Sequence, residues 1–206
     1  MATAVVVGSL VLGACRTDRE LTTPKPIPVD EENLAATLLT ASDLPPGFTQ
    51  KEGAGTPITT ELIPEHDCDD AITELKPALS FSRDFSGQGR LLTDTAAWFP
   101  GQGGAAEQVF RNIQTACRQV AVPADGLSLR TLSLNFGALS DNTLAMRVEA
   151  EPTTGPIEER DLIVMRQGDL LHIVRLVGPR PSDKVLLDAA VRATIGRLGL
   201  LHLDTT

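Results

Sequence analysis

The sequence predicts an α+β fold in which a mostly antiparallel β-sheet packs against helices, an α/β sandwich. Two short turns, Gly87-Gln88-Gly89 and Gln167-Gly168-Asp169, indicate this fold because each joins two strand-like runs closely enough to form a β-hairpin. The element order contributes too: helix, helix, two strands, helix, four strands and a closing helix. This order lacks the βαβ alternation of a parallel sheet, so antiparallel pairing is expected.

Four helices are predicted from apolar residues at helical spacing and from capping residues. The first runs from Glu31 to Thr40 with Asp30 as N-cap, and the following turn, 40–48, returns Phe48 to the core. After a loop at 49–64, a short helix follows Cys68 and stops at Pro77. The third, Ala105 to Arg118, has an inward stripe of Ala106, Val109, Phe110, Ile113 and Cys117. The last, Ser182 to Arg197, has Ser182 as N-cap, Gly199 as C-cap, and a buried face of Leu187, Ala190, Val191, Thr194, Ile195 and Leu198.

The predicted strands show the two-residue alternation of a sheet. They are Leu79–Phe85, Gly89–Phe99, Leu127–Asn135, Thr143–Glu151, Glu158–Arg166 and Asp169–Val177. In the second strand the sides are unequally apolar, which predicts a place inside the sheet with helices against one face.

The segment before the first helix predicts the protein's location. Leu12-Gly13-Ala14-Cys15 follows an uncharged apolar run and has the pattern of a bacterial lipobox, in which Cys15 is diacylated and becomes the mature N-terminus. The run is shorter than the roughly twenty residues of a membrane span, as expected for a signal peptide at 1–15. No Lys or Arg precedes Arg16, so either the true start lies upstream or these residues form a buried strand. The proline-rich segment 16–30 is predicted to be an extended tether. Residues 31–206 are predicted to form a single domain.

The chain has three cysteines, so one of them stays outside a disulfide bond. Modification of one cysteine would account for this odd number. Acylation of Cys15 leaves Cys68 and Cys117, which are expected to pair in an oxidising compartment. The closed loop of about fifty residues would stabilise the fold by roughly 4 kcal/mol. The alternative is two separate buried thiols.

Composition excludes several classes of protein. A net charge of −9 without clustered Lys or Arg argues against nucleic-acid binding and against docking on anionic headgroups. One tryptophan, six phenylalanines and no tyrosine argue against an aromatic sugar-binding platform.

The segment 38–48, Leu-Leu-Thr-Ala-Ser-Asp-Leu-Pro-Pro-Gly-Phe, resembles the opening of the PknH-like extracellular sensor domain family. Cys68 before a short helix, the strand Thr93–Phe99 and the helix ending in Cys117 are also similar to that family, over most of 31–200. The family occurs behind actinobacterial kinases and in lipid-anchored stand-alone proteins. Members with two disulfides have two further cysteines that this chain lacks. The resemblance implies an extracytoplasmic ligand-sensing domain with a cleft and no catalytic machinery.

Candidate chemical sites are few. The segment 65–70, Glu-His-Asp-Cys-Asp-Asp, is dense in metal-ligand types, but a disulfide-bonded Cys68 cannot ligate, so the acids are interpreted as a helix N-terminus. The glycines at 101–104 lack the lysine of a phosphate-binding loop, and His172 and Trp98 are interpreted as structural residues. No local hydrolase signature occurs.

We therefore expect a non-catalytic, lipid-anchored binding domain of the cell envelope, without cofactor or metal. Its expected partners are an unknown small molecule or envelope component, the membrane through Cys15, and a protein partner if it signals. The binding residues are not predicted. The alternatives are a carrier of an apolar envelope lipid, which needs a large apolar cavity, and an envelope hydrolase, which needs a triad assembled in space.

Overall fold

The computed structural model describes residues 29–60, 62–63, 67–122, 126–135 and 143–198. Within these ranges, eight strands form one antiparallel sheet in the order β1-β2-β3-β8-β7-β6-β5-β4, which confirms the predicted α+β fold. The strands are β1 Thr49–Gln50, β2 Leu79–Gly87, β3 Arg90–Trp98, β4 Gln119–Val122, β5 Leu127–Ser133, β6 Thr143–Pro152, β7 Glu158–Gln167 and β8 Leu170–Pro179. The helices are α1 Glu31–Ala36, α2 Gly103–Ala116 and α3 Lys184–Leu198, with short 3-10 helices at Ala41–Asp43 and Asp67–Ile72.

Both predicted hairpins are present. In the first, Gly87 pairs with Arg90, and Gln88 and Gly89 both have left-handed φ values, 52° and 71°. Two left-handed residues form the turn whose twist matches that of the flanking strands. The second hairpin joins β7 to β8 through Gly168.

Two edge strands are absent from the sequence prediction. Thr49 and Gln50, placed in a loop, pair with Ser86 and Phe85 of β2, and β4 pairs with β5. A strand of two residues is too short to show alternation, and β4 follows α2 almost directly.

Helices cover both faces of the sheet, which corrects the expectation of one covered face. Alternate residues of β3, β7 and β8 point to two separate cores. The first core lies under α1 and α3 and includes Leu34, Leu92, Ile163, Val174 and Leu187. The second lies under α2 and the 3-10 helix at 67–72 and includes Ile72, Phe110, Met146, Leu162 and Ile173.

Two helix ends differ from the prediction for specific reasons. Asp30 caps α1 as expected, accepting from Asn33 N–H at 2.8 Å, but α1 ends at Ala36. It ends early because the Leu39 N–H donates to the buried Asp94 carboxylate at 2.6 Å. The turn that follows buries Phe48, as predicted.

The start of α3 is capped by Asp183, not by Ser182. Asp183 Oδ1 accepts from the N–H of Leu186 at 3.0 Å, while the Ser182 N–H donates to Glu159 at 2.6 Å. The predicted buried face holds except at Ile195, which is 43% exposed. The predicted cap at Gly199, the lipobox with Cys15, and the tether up to residue 28 lie outside the described residues. None of the described helices is long and apolar enough to cross a membrane.

Candidate functional site

A disulfide bond fixes one end of the face under α2. Cys68 lies in the 3-10 helix at 67–72, and Cys117 follows α2 directly. The two form a disulfide bond, with their Cα atoms 5.5 Å apart. This is the pair that the cysteine count predicts. Because the bond joins positions 49 residues apart, it holds the chain before Cys68 against the sheet.

Residues 55–60 lie across the edge of the same face. The Thr56 N–H and hydroxyl both donate to Asp84 Oδ2, at 3.1 and 2.8 Å. Gly55 packs so closely on β2 that a Cβ there would lie 2.4 Å from the carbonyl carbon of Ser82. Only glycine allows this approach.

Asp69 holds the end of this segment. Its Oδ2 accepts from the N–H groups of Leu62 and Ile63 at 2.6 and 3.0 Å, and the residue is fully buried. Burial raises the pKa of Asp69 above its ordinary value, because the hydrogen bonds do not fully replace the lost hydration. Arg160 adds a bond to the Leu62 carbonyl at 2.8 Å. Part of the predicted acidic cluster therefore anchors a loop; Glu65 and His66 lie outside the described residues.

Between this segment, α2 and the sheet lies a small cleft, which we call the Arg175 cleft. Its enclosed volume is about 20 Å³, the room needed for one water molecule. Thr93 and Thr95 in its floor are 3% exposed, while Pro57 and Thr60 at its rim are exposed. It is lined by Pro57, Ile58, Thr60, Leu62, Ile72, Thr93, Thr95, Phe110, Leu162, Ile173 and Arg175.

Arg175 is the charged residue of this cleft. It lies on β8, half-buried, with Thr93 and Leu162 as its neighbours on the adjacent strands. Within the described part of the chain its guanidinium has no ion pair within 4.0 Å and no hydrogen bond. Loss of hydration lowers the pKa of Arg175, with a further lowering by the positive charge of Arg160 and an opposing effect of Asp84.

Asp84 is the acid that acts on Arg175, yet its oxygens are occupied by other donors. Besides the bonds from Thr56, its Oδ1 accepts from the Thr93 hydroxyl at 2.8 Å. Elsewhere on this face, Glu107 pairs with Arg166 at 2.5 Å and also with Arg111. Arg175 thus differs from its neighbours in having no partner among the described residues.

A larger groove of about 580 Å³ opens at the β2–β3 hairpin end of the sheet, beside Lys51, Pro156 and Gly178. Its arginine, Arg90, donates through its terminal nitrogens to the carbonyls of Gln88 and Pro181 at 3.3 and 2.7 Å, while its buried Nε has no hydrogen-bond partner among the described residues. The groove is wide, and its charged lining residues are of both signs, Lys51 and Arg90 beside Glu158, so they do not favour a ligand of one charge.

His172 lies in the opposite core and is fully buried. Its Nε2 is 2.5 Å from Asp94 Oδ1. Because the ring is sealed from solvent, a substrate cannot reach it, in agreement with the structural interpretation. His202 lies outside the described residues.

The glycine loop at 101–104 also has a structural role. The N–H groups of Gly101 and Gly103 donate to the Asp169 carboxylate at 2.6 and 3.2 Å, so the protein supplies its own anion there. The described residues contain no cluster of three or more metal-ligating side chains.

Sequence reasoning missed Arg175. The one available signal is a charged residue inside the apolar strand Leu170–Val177. Strands often contain such residues at exposed or paired positions, so the sequence alone does not distinguish an unpaired arginine from a paired one.

The architecture is similar to that of a known extracellular domain. The crystal structure of the extracellular domain of PknH from Mycobacterium tuberculosis superposes with a TM-score of 0.58 at 14% identity, covering 86% of this chain and 98% of that chain. An Rv0999 ortholog from Mycobacterium smegmatis gives a TM-score of 0.39 at 16% identity, covering 74% and 92%. The sequence matches no protein-family model and no curated protein. The first likeness shows a shared fold, in line with the resemblance seen in the sequence.

Proposed function

We propose that this protein is a lipid-anchored, extracytoplasmic binding domain that takes a ligand at the Arg175 cleft and catalyses no reaction. The observation that supports ligand binding most directly is the half-buried Arg175, which has no counter-charge bound to it among the described residues. Proteins seldom keep a charge in a poorly hydrated place without a partner, and such positions concentrate at functional sites.

The location rests on three further observations. The shared fold belongs, in the PknH structure, to an extracellular domain. The disulfide between Cys68 and Cys117 suits an oxidising compartment. The lipobox pattern at 12–15 supplies an anchor, with 16–30 as tether and 31–206 as one sensor-like domain. Two acyl chains hold a domain stably at a membrane where a single chain does not.

The alternatives receive less support. A lipid carrier needs an apolar cavity that encloses the lipid. The Arg175 cleft, at about 20 Å³, is too small to enclose an acyl chain, and the larger groove has the charged residues Lys51, Arg90 and Glu158 in its lining. A hydrolase with a histidine base needs that base within reach of its substrate, and His172, the one histidine among the described residues, is sealed in the core.

The anchor is tested by producing the full chain in a bacterium that processes lipoproteins, beside a Cys15→Ala variant. We expect the wild type to partition into the detergent phase and to yield an N-terminal peptide with a diacylglyceryl-modified cysteine. The variant should stay in the aqueous phase. A free thiol at position 15 in the wild type would refute the anchor.

Binding is tested separately by native mass spectrometry of the protein from the same host. A co-purifying small molecule that is lost on Arg175→Met supports binding at the cleft, with Arg192→Met as control. Arg192 is an exposed arginine of α3, paired with Asp188 at 2.7 Å, so the control removes the same charge far from the cleft. A molecule retained by both variants would show that the binding site lies outside the cleft. If no molecule co-purifies with the wild type, the result counts against a binding function.

A further inference from the structure

The Arg175 cleft, taken as the binding site proposed above, has the chemistry of an oxyanion site. The guanidinium of Arg175 presents a planar fork of N–H donors that matches the two oxygens of a carboxylate. Within the described residues none of these donors is used. Asp84, the acid whose charge acts on Arg175, is held by Thr56 and Thr93 and forms no ion pair with it.

The two threonines of the floor have different roles. The Thr93 hydroxyl donates to Asp84 at 2.8 Å, so it has no hydrogen left for a ligand. The Thr95 hydroxyl lies 2.8 Å from the Ser82 hydroxyl, and either can be the donor. When Ser82 donates, the hydrogen of Thr95 is free to point into the cleft. At the exposed rim, the Thr60 hydroxyl is a further donor.

Local charge favours an anion although the chain as a whole has a charge of −9. Arg160 lies two residues from Leu162 on the same side of β7 and raises the positive potential at Arg175. Arg160 is itself paired with Glu158 at 2.7 Å, so the positive spot in the cleft, within the described residues, is the unpaired Arg175. Such a spot attracts negatively charged ligands selectively.

The volume and the lining of the cleft favour a carboxylate over larger anions. About 20 Å³ admits the oxygen end of a ligand and excludes a bulky head. A flat carboxylate enters more easily than a tetrahedral phosphate with four oxygens. The buried side chains of Ile58, Phe110 and Ile173 close the cleft around the carboxylate, so the hydrocarbon chain attached to it would extend outward past the exposed Pro57 at the rim.

We propose that the Arg175 cleft binds the carboxylate group of a small aliphatic acid, with Arg175 as the anion-binding residue and Thr95 as a second donor.

The test uses the full chain and hexanoate as probe, followed by calorimetry and by NMR shifts of residues around the cleft. Hexanamide, of the same length but uncharged, and inorganic phosphate are the comparison ligands. We expect saturable binding of hexanoate. Hexanamide should bind at least tenfold more weakly because it lacks the charge that strengthens hydrogen bonds to the guanidinium, and phosphate at least tenfold more weakly because its four oxygens do not fit the cleft.

Variants assign the contacts. Arg175→Met should weaken hexanoate binding at least tenfold, Arg175→Lys severalfold because the fork is lost, and Thr95→Val severalfold. Arg192→Met should bind like the wild type. Circular dichroism of each variant verifies that it is folded.

The outcomes separate this inference from the proposed function. Phosphate binding more tightly than hexanoate would overturn the carboxylate assignment, and equal binding by Arg175→Met would overturn the site. A second result is that hexanoate fails to bind while a host-derived ligand binds and is lost on Arg175→Met. That result would overturn the assignment of an aliphatic acid but leave the proposed binding function intact. If neither hexanoate nor a host-derived ligand binds, the carboxylate assignment and the proposed binding function are both overturned.

Discussion

Two arginines on opposite faces of the same sheet have opposite surroundings. Arg147 on β6 lies directly opposite Asp161 of β7 and bonds to it through Nε at 2.6 Å, while Nη1 lies 3.1 Å from Glu159. Arg175 on β8 lies opposite Thr93 and Leu162 and has no partner among the described residues. Hydrogen bonding to Asp161 raises the pKa of Arg147, whereas burial lowers that of Arg175.

The difference separates a charge that the fold itself neutralises from one for which we propose a ligand as partner. Around Arg147, the acids also bind the Ser182 N–H and hydroxyl, so the network fixes the start of α3. Every charge there is satisfied by the fold. Around Arg175, the fold satisfies the neighbouring acid and leaves the cation open at the mouth of a cleft.

The largest effect is expected from Arg147→Met. The substitution leaves the fully buried Asp161 without its cation and leaves Glu159, 3% exposed, with only the half-exposed Arg180 at 3.4 Å. Breaking a buried ion pair on one side typically costs about 3–5 kcal/mol. Urea unfolding at neutral pH should show this loss. A loss below about 1 kcal/mol, similar to that of the exposed Arg192→Met, would show that the network contributes little.

The disulfide should stabilise the face that contains Arg175. The Cys68→Ser/Cys117→Ser double variant frees a loop of 49 residues and should lose about 2–4 kcal/mol. Reduction of the wild type with dithiothreitol should give the same lowered midpoint in urea. Unchanged unfolding after verified reduction would contradict the expected role of the bond.

A smaller, pH-dependent effect is expected at Asp69, which anchors the cleft segment. Its raised pKa means that the folded state holds a proton where the unfolded state, near the ordinary value of 3.8, has lost it. Stability must therefore fall as pH rises through this interval. Relative to Asp69→Asn, the wild type should lose stability from pH 3.8 upward. The control Glu52→Gln, at an exposed residue, keeps Asp69 and should show the same trend as the wild type. A rise in the stability of the wild type relative to Asp69→Asn would contradict the pKa direction.

The sequence predicted the fold where local chemistry decides structure. The turns at Gly87–Gly89 and Gly168 and the apolar stripe of α2 follow from backbone freedom and periodicity. The end of α1 did not follow, because Leu39 leaves the helix for Asp94, more than fifty residues away. Strand β1 depends on its pairing with β2, and two residues show no pattern of their own.

The candidate site was less predictable, since a missing partner is a property of the folded chain. In sequence, Met146-Arg147-Val148 and Val174-Arg175-Leu176 are nearly equivalent. Only strand register shows that one arginine faces Asp161 and the other faces Thr93 and Leu162. The cysteine pair, by contrast, was predictable from a count.

The most direct test of this difference is the free energy of unfolding of Arg175→Met and wild type, each measured with and without saturating hexanoate. Without hexanoate the variant should be no less stable than the wild type, because it removes a poorly hydrated charge that forms no ion pair among the described residues. Hexanoate should stabilise the wild type and leave the variant unchanged, as binding to the folded state requires. A variant destabilised as strongly as Arg147→Met, with no response of the wild type to hexanoate, would show that Arg175 is a structural charge.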